Sequence, residues 1–575
     1  MSFPQRIIAA LSVAAAGLWA APAPAVEYFV APGGDDADPG TESQPFATLT
    51  HAIDQLADGD ILTLRGGEYR LVDEDGPGFI DVPGITIQGH PGEAAVLLGS
   101  ASTEGVTWEA YNANVWRISA GFLSRDPKGL FNGSRRIAHS TDFSNGRDHS
   151  DVSELTEPGL WTKADVNGEQ CGDDNAGCYI YLYPPAGETP DEEIYELAQR
   201  GLARIVADHV TLRNLEFYYT QSSPVFFEGA DYAVIEHSIF GHNSNGNDNS
   251  YGLRIWDSQG TIVRHNRVFD SVYWGGVSNS KGITFMVSKL GDPNIVEYNE
   301  IHDIPGFAAV GTKGGVSGLI VRHNYIHDVY AAIEPGDERC VWASDNPTCE
   351  SSDEEYRPGG RWEIYGNVIV NAEIGVRLPG FTSDGHDNRV YNNVFHQGRT
   401  GIDLGWDGSY GNVFANNVFS ANQAGIYLSS GGTDTAVPDY LDQFVSDNNL
   451  FFGNSLADIH LRPNWGGNYS SGTPYSLADF RNAFGREMDS IAGDRVSSMR
   501  PRTFTWMTTA RLAPRAIAVS GRGCRRSISA PIPSAACCSS TPSSSRPPID
   551  AGPGRAGASP GRAVRYSQPW SRAMR

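Results

Sequence analysis

The chain has 575 residues, with 43 Lys and Arg against 68 Asp and Glu, and a net charge of −25. So acidic a body argues against nucleic acid as a partner, since it repels a polyphosphate. An acidic glycan would be repelled too, unless calcium or a local basic patch bridged the two.

Residues 1–25 carry Arg6, an apolar run from Ile7 to Ala21 and the small-residue sequence Ala23-Pro24-Ala25. The run is too short to span a bilayer, so it reads as a cleaved signal peptide. No later stretch reads as a membrane span, and the expected location is secreted or periplasmic, where disulfides persist.

Residues 26–200 read as an N-terminal cap and first, irregular coils. Glu27 to Val30 has strand character, and Phe46, Leu49, Ile53 and Leu56, three or four apart, predict one short helix. Asp60 to Leu64 and Ile85 to Ile87 are predicted strands between Gly/Pro turns. A single helix ahead of many strands predicts a cap over the open end of a coil. Residues 100–200, rich in Trp, Tyr, Asp and Gly, read as long insertions between strands. Cys171 and Cys178 close one short polar loop and Cys340 and Cys349 another. Both pairs are expected as disulfides, because no histidine lies nearby at zinc spacing.

Residues 201–494 are dominated by one motif, apolar-x-x-Asn-x-apolar. Its clearest copy is Val321-Arg322-His323-Asn324-Tyr325-Ile326, and it returns at 235–240 (with Ser238 for Asn), 263–268, 296–301, 364–369, 390–395 and 414–419. The Asn positions advance by 28, 33, 25, 43, 26 and 24 residues. A base step near 24 to 26 with occasional insertions marks a repeat architecture. Short strands, asparagine at the turns and no helical period select a right-handed parallel β-helix over a propeller, whose blades need about 40 residues.

Alternation assigns the faces. Ile235, Val263, Val296, Val321, Ile364, Val390 and Phe414 should point inward. The neighbouring outward column, Glu236, Arg264, Glu297, Arg322, Tyr365 and Tyr391, alternates in charge and reads as a structural ladder. Beside it, His237, His265, Tyr298 and His323 pass into Gly366, Asn392 and Asn416, a ring stack giving way to an amide ladder. A second strand of form Gly-apolar-x-apolar recurs at Gly252, Gly282, Gly375, Gly401 and Gly425. Its outward column is Arg254, Thr284, Glu334, Arg377, Asp403 and Tyr427. That mixture fits a sugar-binding groove, with Trp406 nearby, and equally a salt ladder.

The opening EYFVAPGGDDADPGTESQPFATLTHAIDQLADGDILTLRGGEY and the repeated His-Asn and Asn-Asn turns resemble the secreted right-handed parallel β-helix proteins over about residues 27–490. Within them the chain resembles the polysaccharide lyases of the pectate, alginate and chondroitin type. The resemblance implies β-elimination on an acidic polysaccharide by a monomer, with a lysine or arginine as base and calcium or a basic residue stabilising the enolate. Lys313, 11 residues before Asn324, stands where that family's pattern places its lysine. Arg254 or Arg322 would supply the stabilising charge. Two departures stand out: Glu334 occupies the region where the family has an arginine, and Phe307-Ala308-Ala309 replaces acidic calcium ligands. Calcium is then expected at polar loops, one with Asp173 and Asp174 and one at 242–250 with Asn245, Asn247 and Asp248. Two other readings stay open. One is a glycoside hydrolase using a pair among Glu334, Asp337, Asp403 and Asp407; the other is a non-catalytic carbohydrate-binding or surface-structural module.

Residues 495–575 differ in kind, with 14 Arg, no Lys and the single acid Asp550. The tail is +13 and the body −38. A one-nucleotide displacement near Asp494 would restore acidic, body-like text, so the tail reads as frameshifted.

Overall fold

The structure, a computed structural model, describes residues 24–72, 79–140, 149–201, 203–245, 250–273, 280–289, 291–313, 315–335, 360–378, 387–405, 410–429, 441–442, 444–462 and 472–493. The signal peptide through residue 23, the basic tail, Cys340, Cys349, Asp337, Trp406, Asp407, Asn247 and Asp248 lie outside these residues.

The chain winds into a coil with three sheet-lined faces. Twelve parallel strands form the first, running from Glu27–Val30 through Ile61–Leu64, Thr86–Gly89 and Thr211–Arg213 to Phe444–Asp447. Ile235 lies opposite Val263, followed on successive coils by Val296, Val321, Ile364, Val390 and Phe414. All are fully buried. Each such side chain contributes about 1.5–3 kcal/mol, and a one-residue slip would turn the whole column to solvent.

At the first corner the residue after the strand adopts a left-handed backbone, with φ of 52° at His237, 55° at His265, 56° at Tyr298 and 56° at His323. Asparagine and histidine tolerate this region better than most residues. The exposed rings then fall on top of one another: His237 and His265 are 4.8 Å apart, and His265, Tyr298 and His323 follow at 5.2 Å each. The expected ring stack is therefore present. Gly366 ends it because a Cβ there would lie 2.5 Å from His323 Nδ1.

The next residue turns its side chain inward. Asn324 Oδ1 accepts the Asn299 backbone N–H at 3.0 Å, while its Nδ2 donates to the Val296 carbonyl at 2.9 Å. Asn266, Asn299, Asn367, Asn393, Asn417 and Asn449 repeat both bonds. Backbone groups that the corner takes out of the strand ladder are satisfied this way. Asn449 escapes the sequence motif because Ser446 occupies the position of the inward apolar residue. The outward column is a ladder as expected: Arg264 Nε donates to Glu236 at 2.8 Å, Arg322 Nε to Glu297 at 2.7 Å, and Arg322 Nη1 to the Tyr365 hydroxyl at 2.8 Å.

Second and third faces are in places one bent strand, as in Tyr325–Glu334 and Val368–Leu378. The recurring glycine lies at this bend and faces the core. A Cβ on Gly375 would sit 2.4 Å from Phe395, and one on Gly401 2.3 Å from Phe419. Glycine makes room there for the Phe395–Phe419–Phe451 stack.

Both ends are capped. The predicted helix forms at Leu49–Asp54, with Thr48 accepting the His51 N–H at its start, and buries Leu49, Ala52 and Ile53. A second helix, Leu477–Phe484, closes the other end between Ser476 and a left-handed Gly485; its two turns carry too short a pattern to be singled out by period. Residues 100–200 are more regular than the sequence suggests. Between Ala95–Leu98 and Ala203–Ile205 the chain leaves the coil and builds an eight-stranded, largely antiparallel sheet. Its own core includes Trp108, Ile118, Ile137, Trp161, Ile180 and Leu197. The sheet is pinned to the coil by Arg136, whose Nη2 bonds the carbonyls of Asn243 and Asp270 and the Asp270 carboxylate, each at 3.0 Å.

Candidate functional site

Strand register aligns the outward column of the third face. Phe226, Arg254, Thr284, Gly311 and Glu334 stand on successive coils. Ile333 pairs with Val376, which sets Arg377 beside Glu334, and Asp403, Tyr427 and His460 follow. The structure thus brings Arg254, Glu334, Arg377, Asp403 and Tyr427 into one line. Lys313 joins the same face one column over, opposite Met286 and then Trp256. Arg322 does not join it; the residue is held on the first face by Glu297 and Tyr365.

Around Glu334 the column becomes a charged cluster. Glu334 is 3 % exposed, Asp403 4 % and Lys281 1 %. Arg377 Nη1 approaches Glu334 Oε2 at 3.5 Å. Burial pushes the Glu334 carboxyl above its ordinary value; Arg377 and Lys281 pull the other way, and Asp403 adds to the rise. Lys281 reaches the cluster across Gly311, where a Cβ would lie 3.1 Å from its Cδ and 3.2 Å from its Cε. Its ammonium lies 4.5 Å from the Phe307 ring centroid, and the Arg377 guanidinium 5.5 Å from it. The Phe307 ring thus lies within cation–π reach of both. Lys281 and Phe307 are the residues that motif reasoning did not bring to this site. Gly282 was visible as the start of a strand, but only the register shows that the lysine before it faces Glu334. Tyr427 is buried against His460, with ring centroids 4.7 Å apart, rather than displayed for stacking on a sugar.

A second buried polar cluster belongs to the antiparallel sheet. Asp126 accepts from Lys128 Nζ at 2.7 Å, from His149 Nε2 at 2.9 Å and from Lys163 Nζ. These partners hold its carboxyl far below the usual range against the cost of burial, and burial lowers His139 and His149. Three chain segments, 126–128, His149 and Lys163, meet on this one carboxylate, which suits a structural hub.

The expected calcium ligands fare differently. Cys171 and Cys178 are disulfide-bonded. Asp173 and Asp174 are exposed in the turn between them, and Asp174 Oδ1 accepts the Ala176 N–H at 2.9 Å. Asn245 is buried. Among the described residues no group of three His, Cys, Asp or Glu side chains converges as a metal site would require.

Residues 190–353 match the family described as right handed beta helix region, and residues 359–463 match the periplasmic copper-binding protein NosD family. This is a right-handed β-helix protein. A solved structure of XylC in complex with xylose is 14 % identical, with a TM-score of 0.51 over 81 % of this chain and 86 % of that one. Pectate lyase Pel9A is 12 % identical, with a TM-score of 0.36 over 69 % and 79 %. PfbA, a surface adhesin of Streptococcus pneumoniae, is 10 % identical, with a TM-score of 0.38 over 74 % and 88 %. No curated protein sequence gives a significant match. At these identities the likeness concerns the β-helix itself, and function has to be argued from the site. No described helix is long and apolar enough to cross a membrane.

Proposed function

We propose that this β-helix protein is an exported, carbohydrate-active enzyme that hydrolyses a glycosidic bond at the third-face cluster. The observation that carries the reading is the pair of buried carboxyls, Glu334 and Asp403, in one outward column on either side of Arg377. Two coils separate their backbones by about 9–10 Å, near the roughly 6.5–9.5 Å at which inverting glycosidases hold their carboxyls. Glu334, whose carboxyl burial pushes above its ordinary value, donates its proton to the leaving oxygen as the glycosidic bond breaks. Asp403 takes the proton of the water that attacks the anomeric carbon. Arg377 and Lys281 limit the rise of the Glu334 pKa, so the acid stays strong enough to give its proton up.

Elimination is the second reading, favoured by Lys313 on the same face. There the lysine would take the proton α to a uronate carboxylate, with Arg254 rather than Arg322 as the available cation. A panel of pectate, alginate, chondroitin and neutral plant glycans separates the two. Hydrolysis releases reducing ends without new ultraviolet absorbance, whereas elimination creates an absorbing unsaturated uronate. Chelation with EDTA should leave hydrolysis within about twofold of its starting rate, because two carboxyls need no metal. Absorbing products that vanish with EDTA would replace this reading with calcium-assisted elimination.

A further inference from the structure

Nearer the start of the coil, the third-face column alternates aromatic and cationic residues: Phe79, Arg204, Phe226, Arg254. The two arginines are held differently. Arg204 pairs with Glu228 and lies near the Phe79 and Phe226 rings, 5.2 and 5.4 Å from their centroids. Arg254 lies among three aromatic rings, with Phe226 at 4.0 Å, Trp256 at 5.3 Å and Tyr251 at 5.7 Å. Among the described residues no carboxylate pairs with it, and its Nε is buried without a hydrogen-bond partner. On the next coil the Thr284 hydroxyl, in the same outward column and fully buried, is also without a partner.

An uncompensated guanidinium is costly to bury. Burial accordingly pulls the Arg254 pKa below its ordinary value, opposed by Tyr251 and assisted by Arg204. In a body of charge −38, a cation left without an acid is out of keeping with its surroundings. Elsewhere on the coil Arg264, Arg322 and Arg377 each have a carboxylate. A planar guanidinium framed by aromatic faces suits a ring that carries a carboxylate, which it can bind through two parallel bonds.

We infer that Arg254, with Thr284 and the rings of Phe226, Tyr251 and Trp256, forms a subsite for the carboxylate of a uronate residue in the glycan. It rests on the reading of this face as carbohydrate-active and names its substrate class, a glycan bearing a uronate away from the cleaved bond. Gly311 intervenes between Thr284 and Glu334, so three coils, about 14 Å, separate the subsite from the proton donor. The carboxylate it binds is therefore carried by another sugar than the one protonated.

Binding tests this apart from catalysis. Tetramers of galacturonate, mannuronate and glucuronate, each paired with its methyl ester, are titrated calorimetrically into the full chain carrying Glu334→Gln. At least one free acid should bind about 10- to 100-fold more tightly than its ester, the value of a charge-assisted pair. Arg254→Gln should abolish that preference while leaving ester binding unchanged, and Arg254→Lys should restore part of it. Equal binding of every acid and ester, or a preference that survives Arg254→Gln in a folded protein, overturns the subsite. A uronate preference with no turnover by the native chain would refute the hydrolytic reading alone.

Discussion

Replacing Asn324 with alanine isolates what one rung of the corner ladder contributes. The side chain is 2 % exposed. Its Oδ1 accepts from the Asn299 backbone and from Asn299 Nδ2, both at 3.0 Å, and its Nδ2 donates to the Val296 carbonyl at 2.9 Å and to Asn367 Oδ1 at 3.0 Å. Asn299 Nδ2 keeps its bond to Val263, and Asn367 Oδ1 keeps the Asn324 backbone N–H, so two of the four groups retain a partner. The Asn299 N–H and the Val296 carbonyl lose the amide that served them. At about 1–3 kcal/mol for each buried polar group left unmatched, the substitution should cost roughly 2–6 kcal/mol. Urea unfolding followed by far-ultraviolet circular dichroism measures this against the native chain. Asn324→Asp should be at least as damaging, since it removes both donors and buries a charge. A loss below about 1 kcal/mol for alanine would mean that the strand ladders alone hold the corner, and the argument from backbone satisfaction would be wrong.

Three further outcomes follow from the same geometry. Glu334→Gln should lower turnover by about 10²–10⁴. In the native enzyme activity should fall as pH rises through the raised Glu334 value, and Lys281→Met, by removing a nearby positive charge, should move that limb to higher pH; a limb that stays put or moves down would remove Glu334 as the acid. Though exposed at their edges, His265 and His323 are shielded from water by the rings stacked on them, which lowers both; His237 then adds to the first shift and Arg322 to the second. Their folded values lie below the unfolded value near 6.5, so the unfolded chain binds more protons. Stability is then complete above about pH 6.5 and declines as pH falls towards the folded values. Melting curves from pH 8 to 5 should show this decline, and His265→Asn with His323→Asn should flatten it while keeping residues that accept the left-handed corner. Gly366→Ala meets His323 Nδ1 at 2.5 Å with φ at 65°; a loss of about 1–3 kcal/mol is expected, and an unchanged melting temperature would show that the ring can move aside.

The fold was legible because one corner repeats its chemistry. An inward apolar residue, a left-handed position and an inward asparagine recur in fixed order, and each has a local physical cause. The ring stack and the Glu236–Arg264–Glu297–Arg322 ladder followed from alternation alone. Residues 100–200 were not legible, because an antiparallel sheet pairs segments distant in sequence, such as Leu130 with Leu197, and carries no repeat. The site was legible in part. Glu334, Arg377 and Asp403 were visible as one column, but the pattern could not show that Lys281 joins them across Gly311, nor that Arg322 faces another way.

The corners differ in a way that bears on where function resides. From first face to second the chain turns through the same two residues on coil after coil, as between Ile320–Arg322 and Tyr325–Glu334, Glu363–Tyr365 and Val368–Leu378, and Arg389–Tyr391 and Val394–His396. The asparagine ladder fixes that length, since one added residue would turn the amide away from its carbonyl. From third face back to first the length varies, although Asn294, Asn388 and Asn412 accept backbone N–H groups from the neighbouring coil just where the first face begins. Residues 314–319 make the passage on one coil and 335–362 on the next. The step of 43, against a base near 25, takes up its extra residues in this passage. The step of 33 takes up most of its own between the second and third faces, since 12 residues separate Phe269 from Lys281 and 6 separate their partners His302 and Ala308. Both insertions avoid the corner between first and second faces, where the spacing never varies. A rigid scaffold with length variation kept away from one fixed corner lets loops change a surface without disturbing the core. This predicts that altered substrate preference among proteins built on this plan will follow the segments after Phe269 and Glu334, and not those after Arg322.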